Sequence, residues 1–259
     1  MVLRIGVIAD IHCGPDLDTL LGSRAPILVE AFLEAMSRFR PDCIVDLGDR
    51  LNSVALSQDH VRTRWVRTRL REAGVPVYHV FGNTDVRALD KEAGMAALGK
   101  AAPYECVDAG GVRLMLLDTV DPAVERVGGA VGQAQLAWLA GAIEDRETPC
   151  VVCCHHPLDE PPLRGHRYFE RHPDLATVRN RAEVRAALGR TGRVRAVLAA
   201  HLHRTGAAQI AGIPYVTVGG LVESAYTGSE PCGAFALVTL AHERLNVEVG
   251  GLEPAHLSF

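Results

Sequence analysis

Short apolar runs alternate with longer amphipathic stretches along most of the chain. Residues 3–9 (LRIGVIA), 43–47 (CIVDL), 77–81 (VYHVF), 112–117 (VRLMLL), 150–154 (CVVCC) and 194–199 (VRAVLA) are short apolar runs rich in β-branched residues, the pattern of buried strands. Between them, residues 26–39, 58–73, 133–145 and 180–191 place apolar side chains at helical spacing. The first of these helices carries a proline in its first turn, and the second stops at Gly74. Residues 207–210, 215–218, 234–240 and 245–249 read as hairpin strands. Strands alternating with helices predict an α/β fold, and the later hairpins add antiparallel strands, so the sheets should be mixed. No linker, low-complexity tract or fixed-period repeat interrupts residues 1–259, which predicts one domain.

The polar residues that follow the strands change this picture from fold to chemistry. Asp10 and His12 follow the first strand, Asp49 the second, Asn83 the third, His155 the fifth, and His201 and His203 the sixth. In α/β folds, ligands bind beyond the carboxyl ends of strands. Oxygen and nitrogen donors are thus delivered to one rim. Each short motif is weak alone: D-x-H is common by chance, and Gly48-Asp49 and Gly82-Asn83-Thr84-Asp85 would usually be turns. Five such motifs in order at strand ends are not ordinary. If residues 200–203 stay extended, His201 and His203 face the same side and Leu202 faces the core.

Composition bounds the partners. Hydrophobic residues are 48% and charged residues 22%, an ordinary globular mix. No apolar run is long enough to span a bilayer, and MVLRIGVIAD lacks the layout of a secretory leader, so a cytoplasmic protein without membrane contact is expected. A net charge of −4 and the absence of an extended basic patch argue against nucleic acid as partner. The basic residues are 25 Arg and 2 Lys, a bias that makes any one arginine less informative. The seven cysteines sit mostly in apolar runs and read as reduced core residues. Cys150 and Cys153 have C-x-x-C spacing, but residues three apart in a strand point to opposite faces.

The ordered set D-x-H, G-D, G-N-x-D, H-H-P and H-x-H, running from Asp10 to His203, resembles the calcineurin-like metallophosphoesterases. Asp118-Thr119, Gly128, Gly132 and residues 135–139 (QLAWL) are similar to the group that contains class III cyclic nucleotide phosphodiesterases and glycerophosphodiesterases. The resemblance implies two mixed β-sheets packed as a sandwich and flanked by helices. It implies two metal ions, the first held by Asp10, His12, Asp49 and His203, the second by Asp49, Asn83, His155 and His201, with Asp49 bridging. Carboxylate and imidazole ligands without thiolates suit Mn, Fe or Zn. The implied reaction is in-line attack of a dimetal-bound hydroxide on a small organic phosphodiester, with phosphomonoester hydrolysis or a scaffold of little activity as alternatives. Relatives often pair, so the resemblance is compatible with a homodimer.

One block departs from the family. Thr84 stands where the diesterase group carries a histidine near the phosphate, and a hydroxyl cannot supply a proton near neutral pH as imidazole can. His156, His166 and His172 are candidates to replace it, with His156 nearest in sequence to a ligand. Asp49, Asn83 and His156 are therefore the expected catalytic residues, and Thr84, His166 and Arg167 the expected substrate contacts. Residues 157–177 have little periodic pattern and could form a lid over the substrate. Asp46 and Asp85 are expected to orient ligands or close turns rather than bind metal.

Overall fold

The computed structural model describes residues 2–259 apart from Arg126, Arg146 and Glu243, and apart from the side chain of Ala88. Two six-stranded sheets pack face to face. The first has the order β14 (Ala255–Ser258), β13 (Arg244–Gly250), β12 (Phe235–Ala241), β1 (Val2–Ile8), β2 (Cys43–Asp46), β3 (Val77–His79). The second has the order β10 (Gly206–Ile210), β11 (Ile213–Thr217), β9 (Val194–Ala199), β8 (Cys150–Cys153), β5 (Val112–Leu116), β4 (Glu105–Ala109). Strands β1, β2 and β3 run parallel, as do β5, β8, β9 and β11; β12 joins β1 antiparallel. Both sheets are mixed, as expected. A short parallel pair, β6 (Val120–Asp121) and β7 (Ala130–Val131), lies apart from them.

The period of two in the strands explains the layers. Leu3, Ile5 and Val7 of β1 face Leu114, Val151 and Leu198 of the other sheet inside the sandwich. Ile8 and Ile44 face outward, onto Val29, Phe32 and Met36 of α1 (Ala25–Phe39) and Val66 and Leu70 of α2 (Leu56–Arg71). On the far side, Val152 and Val197 meet Leu139 and Ile143 of α5 (Gln133–Glu144) and Val184 and Leu188 of α6 (Arg181–Gly189). A central strand with both faces buried must be apolar throughout, which is why these runs do not alternate. The expected strands and helices appear with ends shifted by a few residues. The pattern missed α3 (Asp85–Ala88), α4 (Lys91–Leu98), β4 and β14. Strand β11 closes the expected hairpin with β10 but also pairs parallel to β9.

All seven cysteines are free, and Cys150 and Cys153 face different core layers. No helix among the described residues is long and apolar enough to cross a membrane. Residues 157–177 contain one 3-10 turn, Pro173–Leu175, and are pinned by Phe169 and Leu175 packing on Leu202.

Candidate metal centre

The loops after β1, β2, β3, β8 and β9 meet at one edge of the sandwich. After β1 and β2 the chain leaves strand geometry, yet the loops stay zipped: Asp10 N donates to Gly48 O at 3.0 Å and His12 N to Asp49 O at 3.0 Å. The glycines of the G-D and G-N motifs let two loops touch. A Cβ on Gly48, which has φ +99°, would lie 2.5 Å from Gly82 N, and a Cβ on Gly82 would lie 2.1 Å from Asp49 Oδ1. No side chain fits at either position.

Seven buried or half-buried side chains converge there. Asp10 Oδ1, His12 Nε2, Asp49 Oδ2 and His203 Nε2 form one set: His203 to Asp10 is 3.5 Å, His12 to Asp49 is 3.7 Å, and the two imidazole nitrogens are 3.3 Å apart. Asp49 Oδ1 turns to a second set, 3.6 Å from His155 Nε2, which lies 3.2 Å from Asn83 Oδ1. Donors bound at about 2.1 Å around one ion sit roughly 3.0–3.4 Å apart, so both sets fit a metal with little adjustment. Asp10 Oδ1 is buried without a hydrogen-bond partner, which fits an oxygen intended for a cation. The donor chemistry is hard-to-borderline, with no thiolate.

The second nitrogen of three of the histidines is fixed by a protein acceptor, which sets the tautomer. His155 Nδ1 donates to Leu47 O at 2.9 Å, His201 Nε2 to Leu175 O at 3.0 Å, and His203 Nδ1 to Glu223 Oε2 at 2.9 Å. His201 therefore has Nδ1 left for a metal, whereas His155 and His203 have Nε2. His12 is the exception, its Nδ1 buried and unpartnered. Burial alone would push His203 down, but the facing carboxylates of Asp10 and Glu223 outweigh it and raise its pKa to about 10. The same contact overcomes burial at Glu223 and brings its carboxyl down to about 2. The surrounding charges thus favour a positive group at this position.

The same-face geometry that an extended 200–203 segment would give His201 and His203 does not occur. Strand β9 ends at Ala199, and both histidines have left-handed backbones, φ 74° and 55°. The segment curls, so the two rings diverge toward different donor sets instead of lying side by side on one strand face.

Around these seven, the arrangement corrects some expectations. His156 is fully buried with both nitrogens used: Nε2 donates to Val127 O at 2.9 Å and Nδ1 accepts from Thr119 Oγ1 at 2.8 Å. Burial, reinforced by His155, lowers its pKa to about 3. A neutral imidazole already engaged at both ends is no proton donor. His166 lines the cleft but donates from Nε2 to Leu202 O at 2.8 Å and accepts at Nδ1 from Phe169 N at 3.1 Å. It fastens residues 157–177 to the His201–His203 turn. Arg167 pairs with Asp18 at 2.8 Å, and its backbone N–H donates to Tyr226 Oη at 3.3 Å, so its guanidinium is engaged across the cleft mouth. Thr84 donates its backbone N–H to Asp49 Oδ1 at 2.8 Å, while its Oγ1 is buried and unpartnered.

The donors open into a cleft of about 620 Å³, which Thr84, Arg87, Tyr168, Phe169 and Tyr226 also line. Beneath it, Arg50 is wholly buried between Asp46 and Asp85, and Asp85 accepts from the backbone N–H groups of Asp49, Arg50 and Gly82 at 2.9–3.0 Å. Sequence reasoning placed Asp46 and Asp85 in support but missed Arg50 and Glu223. Arg50 was hidden by the abundance of arginine, and Glu223 lies in no motif, 20 residues from the histidine it orients.

Two packed sheets between layers of helices, with aspartate–histidine groups that could hold metal gathered at one edge, set the class of protein in view. The chain belongs to the calcineurin-like phosphoesterase family, whose model matches residues 3–205. It is 32% identical over 193 residues to a Mycobacterium tuberculosis protein named cAMP/cGMP dual specificity phosphodiesterase, covering 69% of this chain and 54% of that relative. It is 27% identical over 210 residues to a Fibrobacter succinogenes protein named "Probable cyclic nucleotide phosphodiesterase", covering 78% and 73%. The match thus spans about half the length of the mycobacterial relative. Among solved structures, a dimetal phosphatase from Danio rerio superposes with a TM-score of 0.80 at 17% identity, over 99% of this chain and 98% of that one, a likeness of fold. The family implies divalent metal ions, and clusters of aspartate and histidine here could hold them.

Proposed function

We propose that the protein is a metal-dependent phosphodiesterase for a small organic phosphodiester, of the cyclic nucleotide or glycerophosphodiester kind. The observation that carries this reading is Asp49, whose two carboxylate oxygens face two different imidazole sets at 3.7 and 3.6 Å. Asp10, His12, Asp49 and His203 would hold one ion and Asp49, Asn83, His155 and His201 the other, drawn from Mn, Fe or Zn. When bound, such a pair lowers the pKa of a water and neutralises charge on the phosphoryl oxygens.

The chain's own residues supply the rest. Glu223, Leu47 O and Leu175 O hold the imidazoles in one orientation. Thr84 N–H fixes one oxygen of Asp49, and its side chain lines the cleft beside it. The aromatic side chains of Tyr168, Phe169 and Tyr226 line the cleft and can cover the organic part of a ligand. The volume of about 620 Å³ lies within the range that encloses small ligands, ~300–1,000 Å³. The names of the two sequence relatives favour diesters over monoesters.

The test is Mn²⁺-dependent hydrolysis of bis(p-nitrophenyl) phosphate beside p-nitrophenyl phosphate. Diester turnover that a chelator abolishes is expected. Cleavage of the monoester alone would make this a phosphomonoesterase, and cleavage of neither would return it to a scaffold.

A further inference from the structure

A second cavity lies on the outer face of the first sheet, between the ends of α2 and α4. It measures about 520 Å³ and shares no lining residue with the metal cleft. Alternation along β3 sends His79 to it. Tyr78 packs into the sandwich, Val77 packs outward beside α1 and α2, and His79 shares the side of Val77. Arg67 and Arg71 reach the same cavity from α2, four residues apart and so on one helix face, where like charges repel. No carboxylate is among the described residues that line it. Arg69, between them in sequence, is satisfied by Glu30 and Glu72. Arg71 has no side-chain partner among the described residues, and Arg67 has one long contact, from Nη1 to Ala97 O at 3.5 Å. The Arg67 guanidinium lies over Gly99, where a Cβ would be 2.4 Å from Nη2. The next residue, Lys100, donates from Nζ to His79 O at 2.7 Å, which ties the Arg67 side of the cavity to its His79 side.

His79 is 4% exposed, and its Nδ1 faces Asp46 Oδ2 at 2.8 Å. Burial pushes Asp46 up, but Arg50 and His79 outweigh it, so the carboxylate stays ionised and only accepts. Nδ1 therefore carries the proton. Burial, which outweighs Asp46 here, lowers the pKa of His79 and keeps the ring neutral, so Nε2 is left with a lone pair. Nε2 has no hydrogen-bond partner among the described residues, yet it is not sealed in the interior, and the cavity is the space that His79 borders.

We propose that this cavity binds hydrogenphosphate, whose anionic oxygens accept from Arg67 and Arg71 and whose O–H donates to His79 Nε2. The anion relieves the repulsion between the two guanidinia. Guanidinia alone would take any oxyanion; the lone pair on Nε2 selects one that still carries a proton. Hydrogenphosphate carries one across the neutral range, sulfate carries none, and a phosphomonoester loses its last above about pH 6. The site stands on the support of the metal centre: Asp46 also accepts from Arg50, Arg50 pairs with Asp85, and Asp85 accepts from Asp49 N at 3.0 Å. Binding here does not depend on which ester the metal centre cleaves.

Isothermal titration of the full chain with inorganic phosphate at about pH 7.5, metal-loaded and after metal removal, tests the site. One saturable phosphate should bind in both forms with similar affinity. Arg67→Gln and Arg71→Gln should each weaken it about 10- to 100-fold, the range of a hydrogen bond to a charged group. Arg38→Gln, which removes an equal charge from α1 outside the cavity, should leave it unchanged. Sulfate and glycerol 3-phosphate should each bind about 10-fold more weakly than phosphate, for want of the shared proton. Absence of a saturable site in the metal-free protein, an equal loss in Arg38→Gln, or sulfate or glycerol 3-phosphate binding as tightly as phosphate would overturn the assignment.

Discussion

Arg50→Met tests whether the metal-bearing loops are held by one buried guanidinium. Arg50 is 0% exposed. Its Nε donates to Asp46, its Nη1 to Asp85 Oδ2 at 2.7 Å, and its Nη2 to Val80 O at 2.7 Å. Asp46 also accepts from Gly48 N at 3.1 Å and faces His79 Nδ1 at 2.8 Å, while Asp85 accepts from the backbone of Asp49 and Gly82. Methionine fills most of the volume but removes the charge. Two buried carboxylates then lose their cation, and breaking such an arrangement from one side costs about 3–5 kcal/mol. Against a total stability of about 5–15 kcal/mol for a typical protein, that is a large fraction.

The pH dependence gives the reasoning a second handle. Burial pushes Asp46 up, but Arg50 and His79 outweigh it and hold the carboxyl below the ordinary value of 3.8. A depressed folded pKa contributes stability that is present above the unfolded pKa and lost as pH falls through the folded one. Without Arg50 burial wins, the folded pKa rises above the unfolded one, and the variant regains stability on acidification. The gap between variant and wild type should therefore be wide near about pH 7.5 and narrower near about pH 5. Equilibrium denaturation of the metal-free proteins at the two pH values measures it, and metal titration reports whether Asp49 and Asn83 remain in place. A loss under about 1 kcal/mol, the size of an exposed ion pair, would refute the argument.

Three further outcomes are expected. Asp49→Ala should abolish two-metal occupancy by elemental analysis, and two tightly bound ions with full activity would make the assignment wrong. Glu223→Gln keeps the shape but removes the charge that orients His203, so affinity for one ion should fall about 10–100-fold in a chelator competition while the second ion is less affected. Thr84→His should raise the rate on diesters with poor leaving groups; an unchanged or lower rate would show that a proton donor is not what the site lacks.

The strands, the main helices and the meeting of Asp10, His12, Asp49, Asn83, His155, His201 and His203 at one edge were legible because each left a local signal: an apolar run, a helical stripe, or a polar residue just past a strand. Helices α3 and α4 left little, being 4 and 8 residues long with hardly a stripe to repeat. Strand β4 alternates between exposed and half-buried positions at a sheet edge, where Glu105, Cys106 and Asp108 read as loop. The support of the site was harder still. Arg50 carries no signal that sets it apart among 25 arginines, and the committed state of His156 depends on Val127 O and Thr119, contacts between loops that spacing does not reveal.

Backbone sign is the deeper reason that spacing alone could not place the rings of His201 and His203. Asp10, His12, Asp49, His201 and His203 all have positive φ, between 41° and 74°. Such conformations are uncommon for non-glycine residues, and aspartate and histidine are among the types that enter them most readily. The residues suited to holding metal are thus also suited to leaving strand geometry abruptly. A left-handed residue shortly past a strand turns the chain across the sheet edge, which lets side chains from β1, β2 and β3 of one sheet and β8 and β9 of the other converge instead of projecting in register. Each such residue costs about 1–3 kcal/mol and persists where its surroundings over-determine it. Here the surroundings are the zipped loops, Gly48 against Gly82, and the Arg50–Asp85 brace. The donor set could be read from residue types, but its geometry depends on contacts among loops that are distant in sequence.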